Sequence, residues 1–409
     1  MSNPHQKSGA RRQFLLTAGA AAAGLATQPL RSLAADTEQQ AFENGTRDLV
    51  RYPQKRPLML ITTRPPHLET PFRIFNESVL TPNDAFFVRY HLANMPLAIE
   101  PGSYRLNIGG KVNRPLSLSL AELKSIAPSV EVVAVNQCSG NSRGFSEPRV
   151  FGAQLGNGSM GNARWRGVPL KAVLEKAGVL EGAKQVTFKG LDEPVLPSTP
   201  QFIKALDIEH ALNGEPIIAW QMNGEDLPFL NGYPLKLIVP GYFGTYWVKH
   251  LNQIEVLDHV YDGFFMSTAY RLPDNSCECV APGTAAPKTH PIGKLKIRSF
   301  ITNLADKAQV AKGVRLKIQG IAFDGGAGIK KVELSMDQGK TWHSTKLGKD
   351  LGKFSFRQWT HTINPTQPGE LQLLVRATSN SGETQPTEQS WNPGGYMRNV
   401  IESTTIIVA

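Results

Sequence analysis

Val130-Glu131-Val132-Val133-Ala134-Val135, followed by Asn136-Gln137-Cys138-Ser139-Gly140-Asn141-Ser142-Arg143-Gly144, is a β-branched run that gives way to a polar, glycine-broken loop. β-Branched side chains fit the pleated, half-buried surface of a strand, so residues 130–135 are expected to form one, and the glycines to end it. The loop then sets Cys138, a soft and ionisable ligand, where a strand opens to solvent. A positive charge beside a sulfur favours the thiolate, and Arg143 can supply that charge once the loop folds back, which suits a soft metal. Taken alone, Cys138 reads as a buried structural cysteine. Its loop context points instead to metal ligation.

Around this stretch, residues 36–290 read as a mixed α/β domain of many short strands and few long amphipathic helices, joined by proline-rich connections such as Thr63-Arg64-Pro65-Pro66. Apolar residues at three- and four-residue spacing predict helices at Ser119 to Ile126, Leu170 to Ala177 and Ile203 to Leu212. Ala281-Pro282-Gly283-Thr284-Ala285-Ala286-Pro287 has small residues, two prolines and no periodicity, and reads as a linker. Beyond it the period becomes two. Val314, Leu316 and Ile318 alternate with Arg315, Lys317 and Gln319, and Val332, Leu334 and Met336 with Lys331, Glu333 and Ser335. Further strands are expected at Phe354 to Thr362, Leu371 to Ala377 and Ser403 to Val408, so residues 291–409 read as a separate β-sandwich. The fold class is thus α+β.

The first 35 residues are different in kind. Arg11-Arg12 precedes a weakly apolar, alanine- and glycine-rich run from Leu15 to Leu25, and Leu33-Ala34-Ala35 offers a small-residue cleavage site. This is a twin-arginine export leader, cut near Ala35, and implies a periplasmic mature protein. Export by that route carries folded proteins, often with a cofactor already inserted. The leader run is too short to anchor a membrane, and no other apolar stretch reaches the roughly eighteen residues of a span. Removing Lys7, Arg11, Arg12 and Arg31 takes four positive charges from the chain's +10 and leaves +6. That balance is diffuse, with no Lys/Arg run interleaved with aromatics, so it speaks for a small anionic substrate rather than nucleic acid. Of the three cysteines, Cys277 and Cys279 suggest a disulfide in an oxidising compartment. Their two-residue separation is short for a bridge, and no zinc-like partners lie nearby.

Four motifs now stand in order: Phe87-Val88-Arg89-Tyr90-His91, the Cys138 loop, Trp165-Arg166-Gly167-Val168-Pro169-Leu170 and Tyr233-Pro234-Leu235-Lys236-Leu237-Ile238-Val239-Pro240-Gly241. Together they resemble the sulfite oxidase family of molybdenum enzymes, over nearly the whole mature chain, and most of all the bacterial periplasmic sulfite dehydrogenases. The resemblance implies a molybdopterin-binding domain followed by an immunoglobulin-like domain through which family members dimerise. It implies that Cys138 ligates molybdenum beside the dithiolene of one molybdopterin. Arg89, Arg143 and Tyr270 match substrate-pocket positions, and guanidinium forks suit an oxyanion such as sulfite. Phe87, Val88, Arg89, His91, Asp192, Asn231, Lys236, Trp247, Val248 and Lys249 match positions that hold the pterin and its phosphate. The implied activity is oxidation of sulfite to sulfate, with electrons leaving to a separate periplasmic c-type cytochrome, since no haem-binding or cytochrome b5-like segment reads ahead of the molybdenum domain.

Asn231 stands where animal members have a histidine, Lys236 where they have an arginine, and Gly352-Lys353 where an arginine from the second domain is expected, which leaves those contacts open. Three rival readings belong to other functions. A periplasmic methionine sulfoxide reductase shares the leader and the cysteine motif but lacks the sandwich; assimilatory nitrate reductase shares both domains but adds haem and flavin domains. A non-catalytic exported binding module predicts no molybdenum at all.

Overall fold

The strand expected at 130–135 runs over Val130–Gln137 in a computed structural model that describes residues 37–39 and 46–409. The leader read over residues 1–35 lies outside the described residues. Val130–Gln137 is the edge of a five-stranded sheet in which it is followed, in order, by Met160–Pro169, Ile217–Met222 and Glu225–Asp226, with Lys236–Ile238 also pairing on Ile217–Met222. The edge strand is antiparallel to its neighbour from Val130↔Gly167 to Gln137↔Met160. Its outer end is exposed and its inner end buried, so the β-branched run carries the chain from surface to core and delivers Cys138 there.

A second sheet places Ile203–Asp207, Gln185–Gly190, Leu251–Leu257, Leu106–Gly110 and Leu116–Leu118 side by side, with Leu251–Leu257 parallel to Leu106–Gly110. A third, in chain order, takes Thr37–Gln39, Thr46–Val50, Leu58–Thr62, His67–Glu69 and Val88–Arg89. The expected helix at Leu170 to Ala177 forms over those residues, burying Leu170, Val173, Leu174 and Ala177 and ending at Gly178 with φ 72°, a left-handed cap that glycine adopts without cost. Leu120–Lys124 forms within the helix expected at Ser119 to Ile126, begun by a capping box of Ser119 and Glu122. The third differs. Ile203–Asp207 is a strand antiparallel to Gln185–Lys189, and only Ile208–Leu212 is helical. The spacing of Ile203, Leu206 and Ala205 fits either period, and pairing with an available sheet edge decided between them.

After the 281–287 stretch, Thr289–Pro291 pairs back on Arg271–Pro273. Two sheets follow. One orders Arg298–Ile301, Leu316–Phe323, Arg357–Ile363 and Lys346–Leu347; the other orders Ala308–Val310, Glu402–Val408, Gly369–Ser379, Ile329–Ser335 and His343–Ser344. Ile318, Trp359 and Ile301 from the first and Val332, Leu373, Val375 and Ile406 from the second share one buried core. The strand expected from Val314 begins only at Leu316, and Val314 is exposed. The segment from Phe354 reaches strand geometry only at Arg357, because the Phe354 carbonyl accepts a hydrogen bond from Val135 N at 2.9 Å. That bond ties the second half of the chain to the strand that carries Cys138. Phe300 and Phe356 extend the tie, meeting Phe72 and Phe75 edge-on at 5.5 and 5.9 Å. Residues 37–409 accordingly form one compact unit. Cys277 and Cys279 are joined by a disulfide. Among the described residues no helix is long and apolar enough to cross a membrane.

Candidate active site

Cys138 leaves Val130–Gln137 as a free, half-buried thiol in the wall of a cleft of ≈ 640 Å³. Its backbone is fixed on both sides: the N–H donates to Ser159 O at 2.9 Å and the carbonyl accepts from Asn141 N at 3.0 Å. Ser142, held at φ 75°, turns the loop, and its hydroxyl donates to Asn157 and accepts from the buried Arg298 Nη1 at 2.9 Å. The sulfur is therefore presented by a loop anchored from beneath, a preorganised ligand.

The same cleft gathers Phe87, Arg89, His91, Asp192, Asn231, Lys236, Trp247, Val248, Lys249 and Tyr270 from five separate stretches. Two expected residues are not in its wall. Val88 alternates away from Phe87 and Arg89, as strand geometry requires, and is buried with Leu58, Leu68 and Leu230. Arg143 lies behind the wall, with Nε donating to Gly394 O at 2.8 Å and its guanidinium carbon 5.2 Å from the Tyr396 ring centroid.

Charge in the cleft is lopsided. Lys236 is 3% exposed and sits among aromatic rings, its Nζ 4.8 Å from the Trp165 centroid and 5.6 Å from that of Trp247. It makes no hydrogen bond or ion pair among the described residues, and burial pulls its pKa down to about 7. Lys249 Nζ packs on the Tyr90 ring and donates to Leu230 O at 3.3 Å. Burial and then the neighbouring Lys236 drive its pKa well down, against the pull of Asp192. The Asp192 carboxyl is in turn raised by burial, with Lys249 opposing. Arg89 has no hydrogen-bond or ion-pair partner among the described residues. Asn231 is committed to the protein: its Oδ1 accepts from Lys55 Nζ at 2.5 Å and its Nδ2 donates to Phe87 O at 2.9 Å.

His91 stacks on Phe202, 3.7 Å between centroids, and its Nε2 is 2.6 Å from the Tyr270 hydroxyl. Burial first, then Arg89 and Lys249, hold its pKa well below the usual value, so the ring is neutral. Tyr270 adopts φ 60°, a left-handed conformation that an aromatic residue takes only when its surroundings impose it. Burial raises its hydroxyl pKa, so it remains a protonated donor. Three more polar atoms of the wall, Asn136 Oδ1, Ser139 Oγ and Thr245 Oγ1, are buried without any partner among the described residues. Orphaned polar groups facing one cleft beside surplus cations call for a polar, anionic occupant.

Sequence reasoning missed Lys204 and Phe202. Lys204 is fully buried under Tyr270, with Nζ 5.3 Å from that ring centroid and donating to Phe265 O at 2.6 Å; burial lowers its pKa to about 7. The alternation of Phe202 and Lys204 would have put both on one face of a strand, but the stretch read as helix. Lys55 and Arg298 stand in stretches with no motif, and nothing in the sequence marked them.

Residues 92–265 match the family model of the oxidoreductase molybdopterin binding domain, and residues 289–408 that of the Mo-co oxidoreductase dimerisation domain. Sulfite oxidase of Gallus gallus is 33% identical over 362 residues, which cover 84% of this chain and 77% of that protein. Sulfite oxidase of Arabidopsis thaliana is 28% identical over 381 residues, 86% of this chain and 95% of that one. Among solved structures, the sulfane dehydrogenase SoxCD from Paracoccus pantotrophus matches with a TM-score of 0.71 over 88% of this chain and 87% of that chain, at 24% identity, a likeness of fold.

Proposed function

Because this chain belongs to the sulfite oxidase family of molybdenum enzymes, we propose that it oxidises sulfite to sulfate at a molybdenum–molybdopterin cofactor held in the Cys138 cleft. The residues present fit that group. A thiolate is a suitable soft donor for the metal. Among the described residues no three His, Cys, Asp or Glu side chains come together, so the remaining ligands would come from the cofactor rather than the protein. Lys236 and Lys249 are placed to neutralise the pterin's anionic groups, and Asn136, Ser139 and Thr245 offer it their unpartnered polar atoms. When bound, the molybdenum centre supplies the two-electron redox chemistry and the transferred oxygen.

The observation that carries the reading is the unpartnered guanidinium of Arg89 in the same wall as the Cys138 sulfur and two buried lysines. A planar fork with no protein acceptor is poised for the oxygens of a small oxyanion, and in a cleft screened from water its attraction is stronger than at the surface. Tyr270, protonated and fixed by neutral His91, can donate a further hydrogen bond to the same anion. These groups stabilise charge; the residues themselves need carry no electrons.

The finer reading is that electrons pass singly to a periplasmic c-type cytochrome, in a protein exported by its leader and paired as a homodimer through an immunoglobulin-like second domain. The dimerisation family over residues 289–408 supports the pairing. It also speaks against the methionine sulfoxide reductase reading, which has no such domain. The test is molybdenum quantification together with sulfite-dependent reduction of cytochrome c. Cys138→Ala should abolish turnover. Robust turnover by that variant, or molybdenum-free active protein, would overturn the assignment.

A further inference from the structure

Arg143 and Tyr270 share a neighbour that no motif singled out. Tyr396 comes from the second half of the chain, and its ring meets both: it stacks on Tyr270 with 5.6 Å between centroids and 20° between planes, and the Arg143 guanidinium carbon lies 5.2 Å from its centroid. The turn that presents it is locked. Asn392 Nδ2 donates to Tyr396 O at 2.8 Å, and Asn392 Oδ1 accepts from Tyr396 N at 3.0 Å. Arg143 in turn lies in a glycine-lined slot. A Cβ on Gly140 would stand 2.8 Å from the guanidinium carbon, one on Gly152 would stand 3.0 Å from Nη1, and one on Gly395, at φ 57°, would meet Arg143 Cγ at 2.9 Å. Nε is spent on Gly394 O, Nη1 reaches Ala153 O at only 3.5 Å, and Nη2 has no hydrogen-bond partner among the described residues. The fork is thus held by one short hydrogen bond and by its ring contact, with Nη2 left uncommitted behind the cleft wall.

We propose that Tyr396 is a positioning residue: its ring fixes both the Arg143 guanidinium and the Tyr270 ring, and so sets how tightly the cleft holds an oxyanion. The proposal deepens the sulfite reading by making affinity depend on a side chain outside the molybdopterin domain. A cation over an aromatic face and a stacked aromatic pair both hold their partners in place, and losing the two together should weaken the anion by roughly tenfold. Tyr396→Phe keeps the ring and should remain within about threefold of the parent.

The experiment compares the parent, Tyr396→Phe, Tyr396→Ala and Tyr396→Leu as molybdenum-loaded proteins, measuring KM and kcat for sulfite and, separately, the affinity for sulfate by calorimetry. Expected are a roughly tenfold higher KM and a matching loss of sulfate affinity in the Ala and Leu variants, little change in kcat, unchanged molybdenum content, and rescue by Phe. Leu retains apolar volume, so it reports on the ring face even where Ala fails to fold. Sulfate affinity equal to the parent's in Tyr396→Leu, or a Phe variant as weak as Leu, overturns the proposal. Absent sulfite oxidation in the parent would instead count against the enzyme reading, since sulfate binding needs no turnover.

Discussion

Replacing Lys236 by Met should make the cofactor-free protein more stable and the loaded enzyme worse, and the size of the first effect follows from the site. The Lys236 ammonium is buried with no counter-ion, and its pKa falls to about 7 in the folded chain. Against about 10.4 in the unfolded chain, at 1.36 kcal/mol per tenfold, this is a penalty on the order of 4 kcal/mol. Aromatic contacts with Trp165 and Trp247 return part of it, and Met fills similar volume without charge, so a gain of about 2–4 kcal/mol is expected near pH 7. The sign of the pH dependence is fixed. The folded pKa is the lower one, so the penalty is full below about pH 7, where both states hold the proton. It shrinks as pH rises toward the unfolded value and should be about 1 kcal/mol at pH 9.5. Urea midpoints of the parent and Lys236→Met, each produced without cofactor, measure the gap at the two pH values. A variant that unfolds earlier than the parent, or a gap that does not change with pH, would refute the reasoning. In protein produced with cofactor, the same variant should retain less molybdopterin.

Arg89→Gln should raise KM for sulfite by on the order of 10- to 100-fold, the cost of a lost charge-assisted contact, while leaving the unfolding midpoint unchanged because the guanidinium has no protein partner; a clear loss of stability would show that Arg89 is structural. Arg298→Ala removes the buried partner that contacts Glu402 at 2.7 Å and Ser142 Oγ at 2.9 Å, and urea unfolding should register a loss of about 3 kcal/mol, since among the described residues Glu402 keeps Arg398 alone as an ion-pair partner. Gly140→Ala puts a methyl 2.8 Å from the Arg143 guanidinium carbon, so steady-state kinetics should show a severalfold higher KM at parental molybdenum content.

The part of this molecule legible in its sequence was the part written as local chemistry. The run ending at Val135 forms the strand that its β-branching predicts, and the loop after it carries Cys138 to the cleft wall, because β-branching and glycine act within a few residues. Phe87, Arg89 and His91 line the cleft as expected, whereas Val88, expected with them, turns away into the core, an alternation the expectation did not use. What stayed hidden depends on long-range pairing. Ile203–Asp207 became a strand because Gln185–Gly190 offered an edge, and that choice carries Lys204 under Tyr270. Arg143, five residues after Cys138, was expected beside it. A carbonyl and a ring some 250 positions later hold it back, and no local spacing encodes that.

The cleft's charge also says when its occupant must arrive. Lys236, Lys249 and Arg89 share a wall with one carboxylate, Asp192, and Lys204 and Lys55 lie just behind, each of the two driven by burial to a pKa of about 7. A core so frustrated is destabilised by the charges it keeps, and such groups persist where a ligand returns the energy. An anionic cofactor that binds only the folded chain adds RT ln(1 + [L]/Kd) to its stability, about 4 kcal/mol at a thousand times Kd. That is comparable with the penalty worked out above for Lys236 alone. The chain is therefore at its weakest before loading, and the export we propose for residues 1–35, a route that takes folded proteins, places loading before translocation. A cofactor-free chain should then be cleared or retained in the cytoplasm, while loaded protein is exported. Equal export of both forms would separate the charge argument from the order of events.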